Sequence, residues 1–418
     1  MKFIKLLMVM IAAAMITLAL GGNALAFHGG GVAHCDGCHT MHNSENGQPV
    51  IPADQAASTA GTGLNSMLTI GSDPSSTCLS CHQGLGSYHV ASEAGEPNPN
   101  RNAGGDFYWL QNDYQVTIRG NVVERKGEEY GHNIVALDFG YNASTVITPG
   151  APTSAGPTGF PVTDLACSSC HDPHGKIVRT GNIYPPIVVS GSYGGLTSSG
   201  QPVDLTTGTM GNYRLLGTTG YDPQGALQPF TAAAPIAYAS NGDGYYGSKV
   251  DYGSGMSEWC ANCHTGFNTT GANAHRHPAA NDAHLNGEAS NYNKYLETGN
   301  LTNVQATSYL GLVPFERGVL YNPMGYVGSL DPQSTVGPDN NSNVMCLTCH
   351  RAHANGFRNA GRWDFETELL EESLPGPGTG NYPYGLQEGY YYGGSRIDIA
   401  NYFNVDQRSL CNKCHIQD

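Results

Sequence analysis

Cys346-Leu347-Thr348-Cys349-His350-Arg351-Ala352-His353 decides the reading of this chain of 418 residues. Its first five residues repeat a pattern found at five other places. These are Cys35-Asp36-Gly37-Cys38-His39, Cys78-Leu79-Ser80-Cys81-His82, Cys167-Ser168-Ser169-Cys170-His171, Cys260-Ala261-Asn262-Cys263-His264 and Cys411-Asn412-Lys413-Cys414-His415. All 12 cysteines are used, so none remains for a disulfide. In a chain of this composition about 0.01 such matches arise by chance. C-x-x-C-H is the attachment signature of c-type haem. Two thiols three residues apart each form a thioether with one haem vinyl group, and the following histidine reaches the iron. Zinc would require paired motifs or added ligands, and neither zinc nor a redox disulfide accounts for a histidine after every pair. The spacing therefore predicts six covalently bound c-type haems, with His39, His82, His171, His264, His350 and His415 as proximal ligands.

The composition agrees with a chain wrapped around cofactors. Leu, Ile, Val and Phe make up only 78 residues, a share usually associated with disorder. Yet there are 24 Tyr alongside the 12 Cys, which disordered chains lack. Flat apolar macrocycles would supply the missing core. The charge balance is acidic, with 34 Asp and Glu against 19 Lys and Arg. No basic patch stands out, which argues against nucleic acid and anionic membranes as partners.

Ten histidines remain for the sixth iron positions: His28, His34, His42, His89, His132, His174, His275, His277, His284 and His353. Three follow a motif at a fixed distance, in His39-x-x-His42, His171-x-x-His174 and His350-x-x-His353. The second histidine cannot serve the same iron. Axial ligands stand on opposite faces of the macrocycle, whereas residues three apart lie on one side of a turn, about 5–6 Å from each other. It must reach another haem, so three such pairs imply closely packed haems. His89, His132 and His277 are the favoured candidates among the rest, with His275 competing with His277. Methionine ligation, which would raise the potential, is less well supplied than histidine.

Lys2 and Lys5, the apolar run from Leu6 to Leu20, and Ala24-Leu25-Ala26 form the three parts of a secretory signal peptide. Residues 1–26 are expected to be removed and 27–418 to form one exported domain with no membrane span. The intervals between first cysteines are 43, 89, 93, 86 and 65 residues, too irregular for an array of equal repeats. Asn112 to Arg119 alternates in polarity and meets a turn at Gly120-Asn121 before Val122-Val123, which predicts a β-hairpin. Val304 to Phe315 and Asp364 to Glu372 read as helices, and short helical turns should carry the C-x-x-C-H motifs. Residues 141–163, 190–211 and 374–395 read as loops. Tyr390-Tyr391-Tyr392 could pack on haem edges or on another subunit, or stay on the surface as loop tyrosines. The fold expected is a mostly irregular multihaem cytochrome c fold with few short helices and a minor β-hairpin, wrapped around a stacked haem chain.

Longer segments resemble the hexahaem outer-surface cytochromes that polymerise into conductive filaments in metal-reducing bacteria. They are Phe27-His28, Cys38-His39-Thr40-Met41-His42-Asn43-Ser44, Gly131-His132-Asn133-Ile134-Val135, Cys167 to Lys176, Gly255 to Thr265, Arg276-His277-Pro278, His350-Arg351-Ala352-His353-Ala354 and Leu410 to His415. The resemblance spans all six haem sites. It implies bis-histidine ligation throughout, with His42, His89, His132, His174, His277 and His353 distal. It also implies that His42 ligates a haem of the neighbouring subunit.

On this reading the chain is an electron carrier that assembles head to tail outside the cell. It would take electrons from periplasmic or outer-membrane cytochromes and deliver them to ferric minerals or electrodes. A monomeric periplasmic or surface shuttle would share every haem residue and differ only in assembly. A multihaem oxidoreductase would need an open iron, and enough histidines are present to close all six.

Overall fold

With 56 Gly and 24 Pro in the chain, hydrogen-bond ladders are interrupted soon after they start. The computed structural model describes residues 37–40, 69–84, 90–92, 103–144 apart from 119, 165–173, 213–223, 229–239, 250–264, 277–318 apart from 298, 330–331, 334–363, 365 and 411–415, together with two short strand pairs within 44–49 and 154–161. Among the described residues every sheet is a two-stranded antiparallel pair. β1 (Ser44–Glu45) pairs with β2 (Gln48–Pro49). Helix α1 (Pro74–His82) comes next, then the hairpin of β3 (Tyr114–Ile118) and β4 (Asn121–Arg125). β5 (Ser154–Ala155) pairs with β6 (Phe160–Pro161), and β7 (Ile236–Ala239) with β8 (Val250–Ser254). Three more short helices complete the order: α2 (Met256–Cys260), α3 (Gly287–Lys294) and α4 (Cys346–Cys349). Most of the described chain is irregular, as the sequence predicts.

The expected hairpin is present, with register running from Tyr114 opposite Arg125 to Ile118 opposite Asn121. Its turn passes through Gly120, whose φ of +79° suits glycine. The chain re-enters the ladder at Asn121, one residue earlier than the expected turn. The expected loop 141–163 contains the β5–β6 pair.

The helix expected over Val304 to Phe315 is absent, and only Gln305–Thr307 makes a 3₁₀ turn. Tertiary partners take the backbone groups that a helix would use. The Tyr309 N–H donates to the Thr335 carbonyl (3.0 Å), and the Leu310 N–H to the Tyr292 hydroxyl (2.9 Å). α3 was not anticipated. It buries Ala289 and Tyr292, three residues apart, on one side. The expected helix over Asp364 to Glu372, the loops 190–211 and 374–395, the tyrosines at 390–392 and the signal peptide all lie outside the described residues.

Aromatic side chains fill the larger core. Trp109, Tyr114, Tyr130, Tyr292 and Phe315 are all buried in it. Tyr114 packs 4.4 Å from Tyr130 and donates its hydroxyl to the Trp109 carbonyl at 2.8 Å. Tyr292 donates to the Val313 carbonyl at 2.9 Å. Buried tyrosines thus satisfy irregular backbone that no ladder covers. A smaller cluster around Tyr213, Tyr252, Met256 and Met345 lies beside the motifs at Cys260 and Cys346. Among the described residues no helix is long and apolar enough to cross a membrane.

Trp109 is 0% exposed, whereas Val122 is 66% exposed. Trp109→Ala is therefore expected to lower stability by about 3–5 kcal/mol. Val122→Ala should change it by less than about 0.5 kcal/mol. Unfolding of the intact protein followed by circular dichroism checks the contrast.

Candidate haem-binding sites

Short helical turns carry the motifs, as expected. α1 holds Cys78 to His82. Asp73 caps it by accepting from the Ser76 N–H at 2.8 Å, and Pro74 opens it where no backbone donor is needed. A 3₁₀ turn starts at Cys167, α2 ends on Cys260, and α4 spans Cys346–Cys349. Eleven of the twelve cysteines are among the described residues, and none of these forms a disulfide. Cys35 lies outside the described residues.

Successive motifs approach one another in chain order. The sulfurs of Cys78 and Cys167 are within hydrogen-bonding contact, as are those of Cys260 and Cys346. Between these contacts, Cys38 lies close enough to Cys78, Cys170 to Cys263, and Cys349 to Cys414, for their charges to interact. The two tight contacts share one construction. Ser75 and Ser257 each stand three residues before the first cysteine of their motif. The Ser75 hydroxyl accepts from the Cys167 N–H at 3.1 Å, and the Ser257 hydroxyl from the Cys346 N–H at 3.0 Å. Within the receiving motif, the Ser169 hydroxyl accepts from the Ala166 N–H, and Thr348 does the same for Met345.

A second repeat joins the motifs at Cys35, Cys167 and Cys346, the same three that carry His-x-x-His. The carbonyls of Cys38, Cys170 and Cys349 accept from the N–H groups of Ile70, Gly217 and Arg362. In parallel, His39, His171 and His350 bridge to Thr69, Leu216 and Gly361. In the latter two, a left-handed pair turns the incoming strand: Arg214-Leu215 and Asn359-Ala360, all with φ between +47° and +59°. The strain aims a carbonyl at a ring. His171 Nδ1 lies 2.8 Å from the Arg214 carbonyl and His350 Nδ1 3.0 Å from that of Asn359. A carbonyl only accepts, so Nδ1 carries the proton and Nε2 is left as the lone-pair donor.

Three imidazole pairs stand out. The ring centroids of His171 and His353 are 6.2 Å apart, those of His132 and His264 5.9 Å, and those of His277 and His415 6.1 Å. Two imidazoles on opposite sides of one metal, each with a bond of about 2 Å to it, place their centroids about 6.3 Å apart. Each pair joins a motif histidine to a histidine favoured as distal. His284 is in none of them, and its Nδ1 faces Asn343 Oδ1 at 2.6 Å. Burial lowers the basicity of His264 to about 4 and that of His353 to about 3, helped by neighbouring histidines. His264 and His353 are thus neutral, ligand-competent imidazoles at neutral pH.

His132 and His353 are held by each other's backbone. The His132 N–H donates to the His353 carbonyl at 2.9 Å, and His132 Nδ1 lies 2.6 Å from the Ala352 carbonyl. The His353 N–H donates to the Gly104 carbonyl at 2.7 Å, and Phe107 stacks on the His353 ring at 4.7 Å. Gly131 permits this approach, since a Cβ there would sit 2.3 Å from the His353 carbonyl oxygen.

No protein-family model matches the sequence. Over 94% of its length, and 95% of the relative's, the chain is 40% identical to the C-type cytochrome OmcS of Geobacter sulfurreducens. The chain belongs to the OmcS family of c-type cytochromes. The solved structure of the outer membrane cytochrome S filament from the same organism superposes with a TM-score of 0.74 at 34% identity. It covers 94% of this chain and 100% of that one. A cryo-EM structure of OmcS nanowires gives 0.72 with the same identity and coverage. Membership in the OmcS family implies covalently bound c-type haems. The paired thiols beside a histidine and the spaced imidazole pairs fit that group.

The serine and threonine contacts and the left-handed carbonyl donors were not anticipated from sequence. Ser at minus three from Cys78 and Cys260, and a hydroxyl third in the motifs at Cys167 and Cys346, were the available signal. His42, His89 and His174 lie outside the described residues.

Gly131→Ala is expected to force the His132 and His353 strands apart. The reduced protein should then bind carbon monoxide at up to two haems, while His284→Ala binds none. Visible difference spectra count the haems opened.

Proposed function

We propose that this OmcS-family chain carries six bis-histidine c-type haems and conducts electrons along them, in a filament of identical subunits. The observation that carries this reading is the trio of imidazole pairs at 5.9–6.2 Å. Thioether sulfurs lie at the edge of a macrocycle, so touching sulfurs bring haem edges side by side. The order of cysteine contacts then sets the order of the haems, first motif to sixth. No iron is left open for substrate in the assembled protein, which suits a carrier and not an enzyme. Electrons would pass to extracellular acceptors such as ferric minerals or electrodes, as the secretory leader and acidic composition suggest.

One periodic rule supports the ligand assignment. His353 belongs to the fifth motif and faces His171 of the third. The same step of two assigns His174 of the third motif to the iron on His39 of the first. Continued once more, it sends His42 of the first motif to the fifth motif of the preceding subunit. There, among the described residues, the ring beside His350 is Phe365 at 5.4 Å and not an imidazole. His42 is thus the ligand that a neighbouring subunit supplies to the iron on His350. His89 remains for the iron on His82. The sulfur contacts give the same phase: second touches third and fourth touches fifth, so the sixth should touch the first of the next subunit. The subunit boundary would fall inside one of three equivalent haem pairs, which makes a monomeric shuttle the less economical reading.

His42→Ala should shorten or abolish filaments in electron micrographs and open one haem in six to carbon monoxide. His174→Ala should open one haem and leave filaments intact. Full-length filaments from His42→Ala, with no haem opened, would remove the cross-subunit assignment. Discrete monomers from the unaltered chain would favour the shuttle.

A further inference from the structure

Glu316 is a wholly buried carboxylate, 0% exposed. Its backbone is bridged to Tyr252 of β8 and to Asn343. Oε1 accepts from the Met256 N–H at 2.7 Å, where α2 begins. Oε2 is buried and has no partner. Glu258, on α2 itself, repeats the arrangement. Its Oε1 accepts from the Asn281 N–H at 2.7 Å, and its Oε2 is also buried without a partner. Asn281 Oδ1 accepts in turn from the Gly255 N–H at 2.9 Å, so the two carboxyl groups belong to one knot.

Among the described residues no cation pairs with either carboxyl group. The guanidinium next to Glu316 in sequence, Arg317, is taken by Asp251 at 2.7 Å and by the Val336 carbonyl at 2.9 Å. On the Asn343 side, His284 is turned to the Asn343 side chain. Cys346, the remaining titratable group facing Glu316, is neutral as a thioether. Burial, reinforced by the like charge of Glu258 and opposed by the Met256 N–H, pushes Glu316 up to about 7. A buried Glu316 carboxylate with an unsatisfied oxygen, beside the like charge of Glu258, is relieved by binding a proton.

The knot also has a particular place. α2 carries Cys260, Asn343 lies three residues before Cys346, and the sulfurs of these two cysteines touch. We propose that Glu316 and Glu258 form a proton-binding site coupled to the redox state of the two haems attached through Cys260 and Cys346. The inference rests on the haem assignment above. One electron delivered by the preceding carrier to a haem iron there would reduce it from ferric to ferrous and would add one negative charge beside the knot. Glu316 then takes one proton from water by way of Glu258, which is half-buried and nearer solvent. Oxidation of the iron returns the electron to the next carrier and the proton to water. The sign follows: reduction favours the protonated acid, so the potential of this haem pair falls as pH rises through the region of 7.

The test is a spectroelectrochemical titration of the intact haem-loaded protein across pH, with redox-difference infrared spectra recorded on the same samples. Glu316→Gln keeps the acceptor for Met256 and mimics the protonated acid. It should flatten the pH dependence near 7 and abolish the protonated-carboxyl band that appears on reduction. Glu258→Gln removes the like charge and should move the pH-dependent region downward, which keeps the idea testable if Glu316→Gln folds poorly. Potentials of the unaltered protein that ignore pH near 7, or a carboxyl band surviving Glu316→Gln, would overturn the proposal. So would potentials that answer to Ca²⁺ or EDTA and not to pH, which would make the knot a cation site. Haem content and filament length, measured alongside, test the haem and filament reading separately.

Discussion

The backbone junction between Gly131-His132 and His353-Ala354 holds the middle of this molecule together. It joins segments 220 residues apart and places two histidines back to back, each facing a histidine from a different motif. Joining such distant segments carries a loop-closure cost, and a chain poor in aliphatic residues has little core with which to offset it. Covalent attachment of the haems changes that balance, because each macrocycle supplies apolar surface already fastened to the chain. Buried tyrosines then satisfy the irregular backbone, and helices and sheets stay short.

A common construction recurs within the chain despite irregular sequence intervals. Where motifs meet tightly, a serine before one accepts from the first cysteine N–H of the next. Where a motif carries His-x-x-His, an incoming strand pairs with its second cysteine and its histidine. Under the proposed assembly of identical subunits, the sixth motif of one subunit would meet the first of the next in the same way. On that view the filament is a continuation of the packing inside each subunit, not a separate association between finished surfaces.

Some expectations failed for a physical reason that sequence patterns do not register. Val304 to Phe315 has the apolar spacing of a helix, yet the Thr335 carbonyl and the Tyr292 hydroxyl take backbone donors a helix would need. α3 escaped notice because its sequence is mostly polar and only Ala289 and Tyr292 are buried. The hairpin at 114–125 was legible because both its pairing and its turn are local.

The sequence by itself marks where haem would be attached and which histidines could close the irons. Thioether chemistry acts over five consecutive residues, and counting histidines needs no geometry. Only the tertiary structure decided which histidines face each other. It also decided that Arg214 and Asn359 supply the orienting carbonyls, from 43 and 9 residues beyond their histidines, and that Glu316 meets Glu258. Those relations depend on long-range backbone pairing at separations that follow no fixed interval, so no spacing rule along the chain could have disclosed them.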